Sequence, residues 1–166
     1  MIERSFSGRM HVFSDNIDTD QIYPGQYLDV TDHQEMARHA MQGASASFAI
    51  DSRPGDIIVA GRNFGCGSSR ENAAIALKAS GVGCVIARGF ARIFYRNAIN
   101  LGLPLVVCDQ ALELGKSGDR LSVDLASGAV TNLETGRTFA IEPISDYALS
   151  ILDAGGIKPL MLSREG

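Results

Sequence analysis

The sequence is poor in the residues that mark several large classes of protein. It has three cysteines and no tryptophan among 166 residues, and it contains no Cys-x-x-Cys pair. No apolar run approaches the roughly 20 residues of a membrane span, and the N-terminus lacks the apolar core of a signal peptide. Three thiols cannot all pair, which fits a reducing compartment. We therefore expect a cytoplasmic protein, or one from an organelle matrix if a targeting segment has been removed.

A surplus of positive charge is also absent. The formal net charge is −4 at pH 7, which argues against a nucleic-acid partner. Residues 61–102 differ from the rest, because they hold six basic side chains and one acidic side chain. A basic segment in an acidic protein suits a small anionic substrate, since a positive local potential raises the substrate's concentration there. For Arg92 and Arg96, which share one face of a predicted helix, a solvated or interfacial position fits equally well.

Apolar residues are plentiful enough for a folded core. The chain is 45% hydrophobic and 20% charged, which is typical of a globular protein and not of a disordered one. Its length suits one domain, and no repeat, low-complexity tract or linker divides it. We expect a single domain over residues 1–166.

The chain is organised around the glycine-rich stretch Gly61–Glu71, with the sequence Gly-Arg-Asn-Phe-Gly-Cys-Gly-Ser-Ser-Arg-Glu. The β-branched run Ile57–Ala60 before it predicts a buried strand, and the Ala-rich run after it predicts a helix over Ser69–Ser80. Glycine allows a ligand to approach the backbone closely, and the free N–H groups of a helix N-terminus attract anions. We therefore predict an anion site at this turn. The side chains expected to line it are Ser68, Ser69 and Arg70.

Three familiar glycine motifs do not match this stretch. A phosphate loop needs a lysine after its last glycine, and none is present. A dinucleotide fingerprint starting at Gly65 needs glycine in place of Arg70, and a nucleophile elbow centred on Ser69 needs glycine in place of Glu71. A plain strand-to-helix turn with a capping serine stays open as an interpretation. A catalytic thiol is a second alternative, since Cys66 lies where a helix N-terminus would stabilise a thiolate.

Apolar runs alternate with helical segments along most of the chain, which predicts a parallel sheet with right-handed crossovers. Ligands bind at the carboxyl ends of such strands, and the glycine-rich stretch follows one of them. The predicted strands are Arg9–Phe13, Ile57–Ala60, Cys84–Ala87 and Leu105–Cys108. The predicted helices run from a capping box at Thr31 to about Gly43, over Ser69–Ser80, over Ala91–Asn100, and from Ser145 to Gly155. An antiparallel appendage is predicted from the strands Arg120–Leu125, Ala129–Leu133 and Thr138–Ile141.

The segment Asp15–Asp20 holds three aspartates in six residues. A metal site is one interpretation, because hard cations prefer carboxylate oxygens. A set of turn-forming Asx residues is the interpretation we favour. His33 and His39 lie six residues apart, which is poor spacing for a shared helical metal site, and we expect both in solvent. No metal site is predicted in this chain.

Three segments resemble the swivelling domain of the aconitase superfamily. They are Gly65–Glu71, Asp15–Ile22 (Asp-Asn-Ile-Asp-Thr-Asp-Gln-Ile) and Ala91–Gly102 (Ala-Arg-Ile-Phe-Tyr-Arg-Asn-Ala-Ile-Asn-Leu-Gly). In this order they resemble the small subunits of the isopropylmalate dehydratase family, over most of residues 8–108. The resemblance implies an α/β fold: a swivelling β/β/α domain with a mainly parallel sheet, flanking helices and a C-terminal antiparallel appendage.

The resemblance also implies a hydro-lyase, which dehydrates a 2-hydroxy acid and rehydrates it at the neighbouring carbon in leucine biosynthesis. By position in the motif, Ser68 corresponds to the family's base, and Ser69 and Arg70 correspond to its substrate-binding pair, with Gly67 beside them. We interpret Glu71 as a structural cap of the helix. The expected rim of the active site is Asp18, Thr19 and Asp20.

In this superfamily a [4Fe–4S] cluster with one open iron acts as a Lewis acid on the departing hydroxyl. Such a cluster needs cysteine thiolates. Cys66, Cys84 and Cys108 are scattered, and the last two lie in apolar runs, so we expect this chain to bind no cluster. The resemblance therefore implies a separate large subunit that carries the cluster, in a heterodimer or heterotetramer. Neither a nucleic acid nor a membrane is an expected partner.

Within the family, the segment after a Tyr-Leu pair helps to select the variable group of the substrate. Relatives that accept homoaconitate are expected to place an arginine after that pair, whereas this chain has Asp29. A branched apolar group, as in isopropylmalate, is therefore favoured, and dimethylmalate or methylmalate (citraconate) would also fit. A related dehydratase and a non-catalytic anion-binding module stay open as alternatives. The expected specificity loop is Tyr27, Leu28, Asp29, Val30 and Thr31.

Overall fold

A sheet of seven strands runs through the protein in the order β4-β3-β2-β1-β5-β6-β7. We describe residues 4–165 from a computed structural model. Four strands are mutually parallel, and β5 to β7 extend the sheet in antiparallel pairs beyond β1. The α/β class and its antiparallel appendage are thus confirmed, and the appendage is continuous with the parallel strands. The strands are β1 Ser5–Val12, β2 Ile57–Ala60, β3 Cys84–Ala87, β4 Leu105–Val107, β5 Arg120–Asp124, β6 Ala129–Asn132 and β7 Thr138–Ala140.

Helices connect the parallel strands and close the chain. The longest of them are α4, which links β2 to β3, α5, which links β3 to β4, and the terminal pair α6 and α7. Two 3₁₀ turns lie at Gly25–Tyr27 and Ala111–Glu113. The helices are α1 Thr19–Ile22, α2 His33–Ala37, α3 Phe48–Asp51, α4 Asn72–Ala79, α5 Arg92–Asn100, α6 Asp146–Ala154 and α7 Ile157–Glu165.

Both faces of the sheet are covered, as the continuous apolar runs of the parallel strands predict. All four residues of β2 are buried. Ile58 and Ala60 face a large core that contains the helices, whereas Ile57 and Val59 face a second core that includes side chains of β5, β6 and β7. This double burial fixes the carboxyl end of β2, where the glycine-rich stretch begins.

Several predicted boundaries are wrong for local reasons. The helix after the Tyr-Leu pair is capped by Asp32, whose carboxylate accepts the Gln34 N–H at 3.1 Å, so Thr31 forms no capping box. That helix ends at Ala37 and continues only as turns. Helix α7 was not predicted, since no hydrophobic period marks it, and β1 begins four residues before Arg9 because its first half pairs with β5.

None of the helices within residues 4–165 is both long enough and apolar enough to cross a membrane.

Candidate active site

The aspartate-rich segment lies beside the glycine-rich stretch because the pairing of β1 with β2 continues past both strands. Phe13 donates its N–H to Val59 O at 2.8 Å, and Thr19 donates its N–H to Cys66 O at 2.8 Å. Between these two, the Gly65 N–H donates to Ile17 O at 2.7 Å. Two of the three segments that carry the resemblance are therefore joined residue by residue at the carboxyl end of the parallel sheet.

The glycines of this stretch make room for the protein's own side chains. A Cβ at Gly61 would collide with the Asp15 carboxylate, and a Cβ at Gly65 would collide with the Phe94 ring. Gly65 and Gly67 also have positive φ angles of 85° and 105°, which other residues avoid. The expected close approach of a ligand is thus replaced, at Gly61 and Gly65, by close packing within the chain.

Ser68 is exposed and its hydroxyl oxygen is the centre of the polar contacts. The Arg70 Nε–H donates to Ser68 Oγ at 2.7 Å. Thr19 Oγ1 lies 3.1 Å from Ser68 Oγ and accepts the Ser68 backbone N–H at 3.2 Å. One exposed hydroxyl oxygen is therefore held between a guanidinium and a second hydroxyl, an arrangement that favours negative charge on that oxygen.

Arg70 keeps most of its donors free. Within residues 4–165 only its Nε makes a hydrogen bond, so the two terminal nitrogens remain available for a carboxylate. The guanidinium lies beside Gly25, where a Cβ would sit 3.7 Å from Nη1 and 3.3 Å from Asp20 Oδ1. The turn that leads to Tyr27 thus lies next to the residue expected to bind substrate.

The predicted helix start is displaced from the serines. Helix α4 begins at Asn72, three residues after Ser69, and Glu71 at its N-cap accepts no hydrogen bond through its side chain. Glu71 thus stands at the N-cap, as expected of a structural cap, but it caps the helix only through its backbone carbonyl, which accepts the Ile75 N–H at 3.0 Å. Ser69 is exposed, and its carbonyl accepts a hydrogen bond from Asn97 Nδ2 at 3.3 Å. The serines lie in an irregular segment before the helix, and the Ser68 hydroxyl oxygen accepts the Arg70 Nε–H.

Each of the three aspartates accepts a backbone N–H, and two of them, Asp18 and Asp20, do so within local turns. Asp15 accepts the Arg62 N–H at 2.7 Å, Asp18 accepts the Gln21 N–H at 2.8 Å, and Asp20 accepts the Gly25 N–H at 2.8 Å. Asp18 and Gln21 form a complete capping box for α1. No group of three or more His, Cys, Asp or Glu side chains within residues 4–165 is placed to hold a metal ion.

The cysteines do not come together as a ligand set. Cys84 and Cys108 are buried, and burial raises the pKa of each thiol above its ordinary value. Cys66 is half-buried in the glycine-rich stretch, two residues before Ser68. Two of the three thiols are thus ordinary small core residues.

Comparison with known proteins places this chain in a family. The family model "Aconitase C-terminal domain" matches residues 4–110, which include both joined segments and Arg70. The chain belongs to that aconitase C-terminal domain family. The match spans β1 to β4 and ends before the antiparallel strands β5 to β7, in agreement with a resemblance that covers most of residues 8–108.

Individual relatives within the aconitase family are small subunits of hydro-lyases. One is the 3-isopropylmalate dehydratase small subunit 1 of Methanopyrus kandleri, 55% identical over 96% of this chain and 93% of its own length. A second is the methanogen homoaconitase small subunit of Methanothermobacter thermautotrophicus, 52% identical over 94% of this chain and 90% of its own length. The crystal structure of a 3-isopropylmalate dehydratase from Methanocaldococcus jannaschii has a TM-score of 0.93 at 43% identity, covering 97% of this chain and 95% of that chain.

The loop expected to choose among such substrates is anchored at both ends. Tyr27 stacks on His39, with ring centroids 3.6 Å apart, and its carbonyl accepts the Tyr23 hydroxyl at 2.6 Å. Val30 packs against the main core. Leu28 and Asp29 between them are exposed, so they are the side chains free to meet a substrate or a partner.

Some contacts near the site were not foreseen from the sequence. His39 was expected in solvent, but its ring lies against Tyr27 and contacts Glu35 Oε1 at 3.3 Å. No role was predicted for Asn97, which lies in the third segment. In the structure its side-chain amide donates a hydrogen bond to the Ser69 carbonyl. The i, i+4 spacing of Glu35 and His39 was a signal available in the sequence.

Proposed function

We propose that this chain is the small subunit of a 3-isopropylmalate dehydratase, which interconverts 2-isopropylmalate and 3-isopropylmalate in leucine biosynthesis. The observation that carries the proposal is the exposed Ser68 hydroxyl held by Arg70 and Thr19, in a chain with the family's motif in the family's order. Residues 1–166 would act as one swivelling domain in the cytoplasm.

Ser68 would be the base that removes the weakly acidic C–H proton of the substrate. The C–H bond breaks, the proton moves to Ser68 Oγ, and the electron pair forms the double bond as the hydroxide leaves the neighbouring carbon. A free serine is a weak base, and the Arg70 Nε–H at 2.7 Å from Ser68 Oγ supplies the positive partner that stabilises its anionic form. Rehydration runs the same steps backward with hydrogen and hydroxyl exchanged.

Arg70, Ser69 and the Gly67 backbone would bind a substrate carboxylate. The two free terminal nitrogens of Arg70 can grip a carboxylate with parallel hydrogen bonds. Ser69 and Gly67 are exposed on the same turn. Asp18 and Asp20 would form the rim, with their carboxylates already committed to backbone N–H groups. Thr19, which was expected at the rim, is buried and would lie below it.

The cysteines of this chain do not fit an iron–sulfur cluster, because two of them are buried core residues. The proposal therefore assigns the [4Fe–4S] cluster to a large subunit, where it would act as a Lewis acid on the leaving hydroxyl. This chain would be active only in a heterodimer or heterotetramer with that subunit.

The exposed pair Leu28 and Asp29 favours isopropylmalate over a substrate with a third carboxylate. Asp29 would repel the extra carboxylate of homoaconitate, whereas Leu28 offers apolar surface to a branched alkyl group. The related small subunits differ in their named substrates at about the same identity to this chain, so overall similarity does not decide the substrate. Our proposal assigns that choice to Leu28 and Asp29. Dimethylmalate and methylmalate are the alternative substrates that the loop also admits.

The test is anaerobic co-purification of the tagged chain with its large subunit, followed by assay on isopropylmalate, dimethylmalate, methylmalate and homocitrate. We expect turnover of isopropylmalate by the complex, and a loss of about 10³-fold or more in kcat on Ser68→Ala, the range seen when an essential catalytic group is removed. Turnover of another acid would keep the mechanism and change the pathway. A lone chain that binds anions without turnover, with the cluster protected, would instead identify a binding module.

A further inference from the structure

Thr19 is a buried hydroxyl that lies directly beneath Ser68. It is only 4% exposed. Its backbone is fixed twice, by its N–H bond to Cys66 O at 2.8 Å and by its position as the first residue of the capped helix α1. A β-branched side chain on a fixed backbone has few rotamers, so the direction of the hydroxyl is set before any substrate arrives.

The hydrogen bonds of Thr19 Oγ1 are made with Ser68 alone. Within residues 4–165 its partners are the Ser68 N–H at 3.2 Å and Ser68 Oγ at 3.1 Å. A threonine hydroxyl has one proton to donate and two lone pairs. Since one lone pair receives the Ser68 N–H, the proton and the second lone pair are both available to Ser68 Oγ.

We infer that Thr19 is a positioning residue. Its hydroxyl donates a hydrogen bond to the ionised form of Ser68 and accepts a hydrogen bond from the neutral form. This inference rests on the proposed role of Ser68 as the base. An ionised Ser68 has no proton, so the contact at 3.1 Å can then exist only with Thr19 as the donor. After Ser68 takes the proton from the substrate carbon, its new O–H can donate a hydrogen bond to Thr19 Oγ1. The hydrogen bond reverses its direction, and Thr19 keeps its own proton throughout.

Thr19 and Arg70 thus contact the same oxygen, Ser68 Oγ, from two sides. Arg70 donates from the exposed side and Thr19 from the buried side. Two fixed donors aimed at an oxygen that carries negative charge stabilise that charge more than one donor does. Thr19 does not need to touch the substrate for this role.

The test compares Thr19→Val with Thr19→Ser in the complex with the large subunit. Valine keeps the branched shape and loses the hydroxyl, whereas serine keeps the hydroxyl. We expect Thr19→Val to lower kcat by about 10- to 100-fold with little change in KM, somewhat less than the loss of a donor from an oxyanion hole because the bond is long. The rising limb of kcat against pH should move to higher pH, because Ser68 then ionises less readily. Thr19→Ser should restore kcat and the position of the limb.

Two outcomes would overturn the inference. One is a Thr19→Val complex with wild-type kcat and pH profile. The other is a loss of kcat that is equal at every pH and that Thr19→Ser does not restore, which would indicate a purely structural role. Thermal melting of both variants is measured beside the kinetics. Ser68→Ala, assayed in parallel, distinguishes a failure of the proposed role of Ser68 from a failure of the inferred role of Thr19. If it retains turnover, the proposed base is wrong; if it is inactive while Thr19→Val is unaffected, only the role of Thr19 fails.

Discussion

The two ends of β2 carry two polar clusters of opposite character. Before the strand, Asp56 Oδ2 is met by His11 Nε2 at 2.8 Å, the Arg53 N–H at 2.9 Å and Arg9 Nη2 at 3.1 Å, and Asp56 is 5% exposed. After the strand, Ser68 is exposed, and Arg70 keeps two nitrogens without a partner in the described chain.

The difference separates a structural cluster from a site. Around Asp56 a buried carboxylate has three close partners, which is what stability requires of a buried charge. Around Ser68 the donors converge on an oxygen that is open to a ligand, and the arginine retains binding capacity. Spare donors beside an exposed hydroxyl, and not the number of charged residues, distinguish the end of the strand at which we propose the site.

Arg70→Lys is the strongest test of this difference between the two ends of β2. An ammonium keeps the charge but loses both the Nε–H bond to Ser68 and the flat fork that matches a carboxylate. We expect kcat/KM for isopropylmalate to fall by about 10²–10³-fold. Thermal melting should be unchanged, since Arg70 makes no other hydrogen bond in residues 4–165.

Arg62→Lys is the matched control for that change. Arg62 is exposed on the same glycine-rich stretch, and its side chain makes no hydrogen bond to the described residues. Its replacement should leave kcat/KM within about twofold, because an exposed charge contributes little. Equal losses in both variants would show that the stretch needs positive charge in general and not the Arg70 geometry.

The contrast also shows which parts of the structure the sequence predicts. β2 and β3 have the predicted bounds, because β-branched runs between turns leave little freedom. The N-cap of α6 is also confirmed: Ser145 Oγ accepts the Ala148 N–H at 3.1 Å. These features depend on neighbours along the chain, and local chemistry is enough to specify them.

The contacts within both clusters depend on residues far apart in the sequence. Thr19 and Ser68 are separated by 49 positions, and they meet because the pairing of β1 with β2 continues past both strands. The sequence placed the two in segments of one family but could not say which atoms meet. The Asp56 cluster was missed entirely, since His11 lies in β1, Asp56 lies in the turn before β2, and the two belong to no motif.

Asp56→Asn should act on stability and leave the chemistry intact. Burial alone would raise the pKa of Asp56, but the bonds from His11, the Arg53 N–H and Arg9 outweigh it and lower that pKa below its ordinary value. Loss of the charge at a buried, bonded position should reduce the free energy of unfolding by about 1–3 kcal/mol at pH 7. Turnover by the complex at 25 °C should stay within about twofold.

The pH dependence of that loss follows from the direction of the shift. A carboxyl whose pKa is lowered by folding contributes stability above its ordinary pKa of about 3.9, and this contribution is lost as the pH falls through the lower folded value. The free energy of unfolding, measured with urea, should therefore differ between wild type and Asp56→Asn by a constant amount from pH 7 to about 5. This difference should become smaller below about pH 4. Asp109→Asn, at an exposed carboxyl, should show no such gap, and a gap that persists at low pH would mean that the charge of Asp56 is not the cause.

Asn97→Ala should have the smallest effect and tests how rigidly the active end is held. The Asn97 Nδ2 bond to Ser69 O is long, at 3.3 Å, and exposed, so its removal should cost about 0.5 kcal/mol or less. If the turn is held mainly by Thr19 and the glycine-rich stretch, KM should rise by no more than about threefold and kcat should not change. Asn100→Ala, one turn later on α5 and with no side-chain hydrogen bond in residues 4–165, is the matched control. A loss of kcat specific to Asn97→Ala would instead place α5 among the elements that position Ser68, and the third segment of the resemblance would then have a role in catalysis as well as in packing.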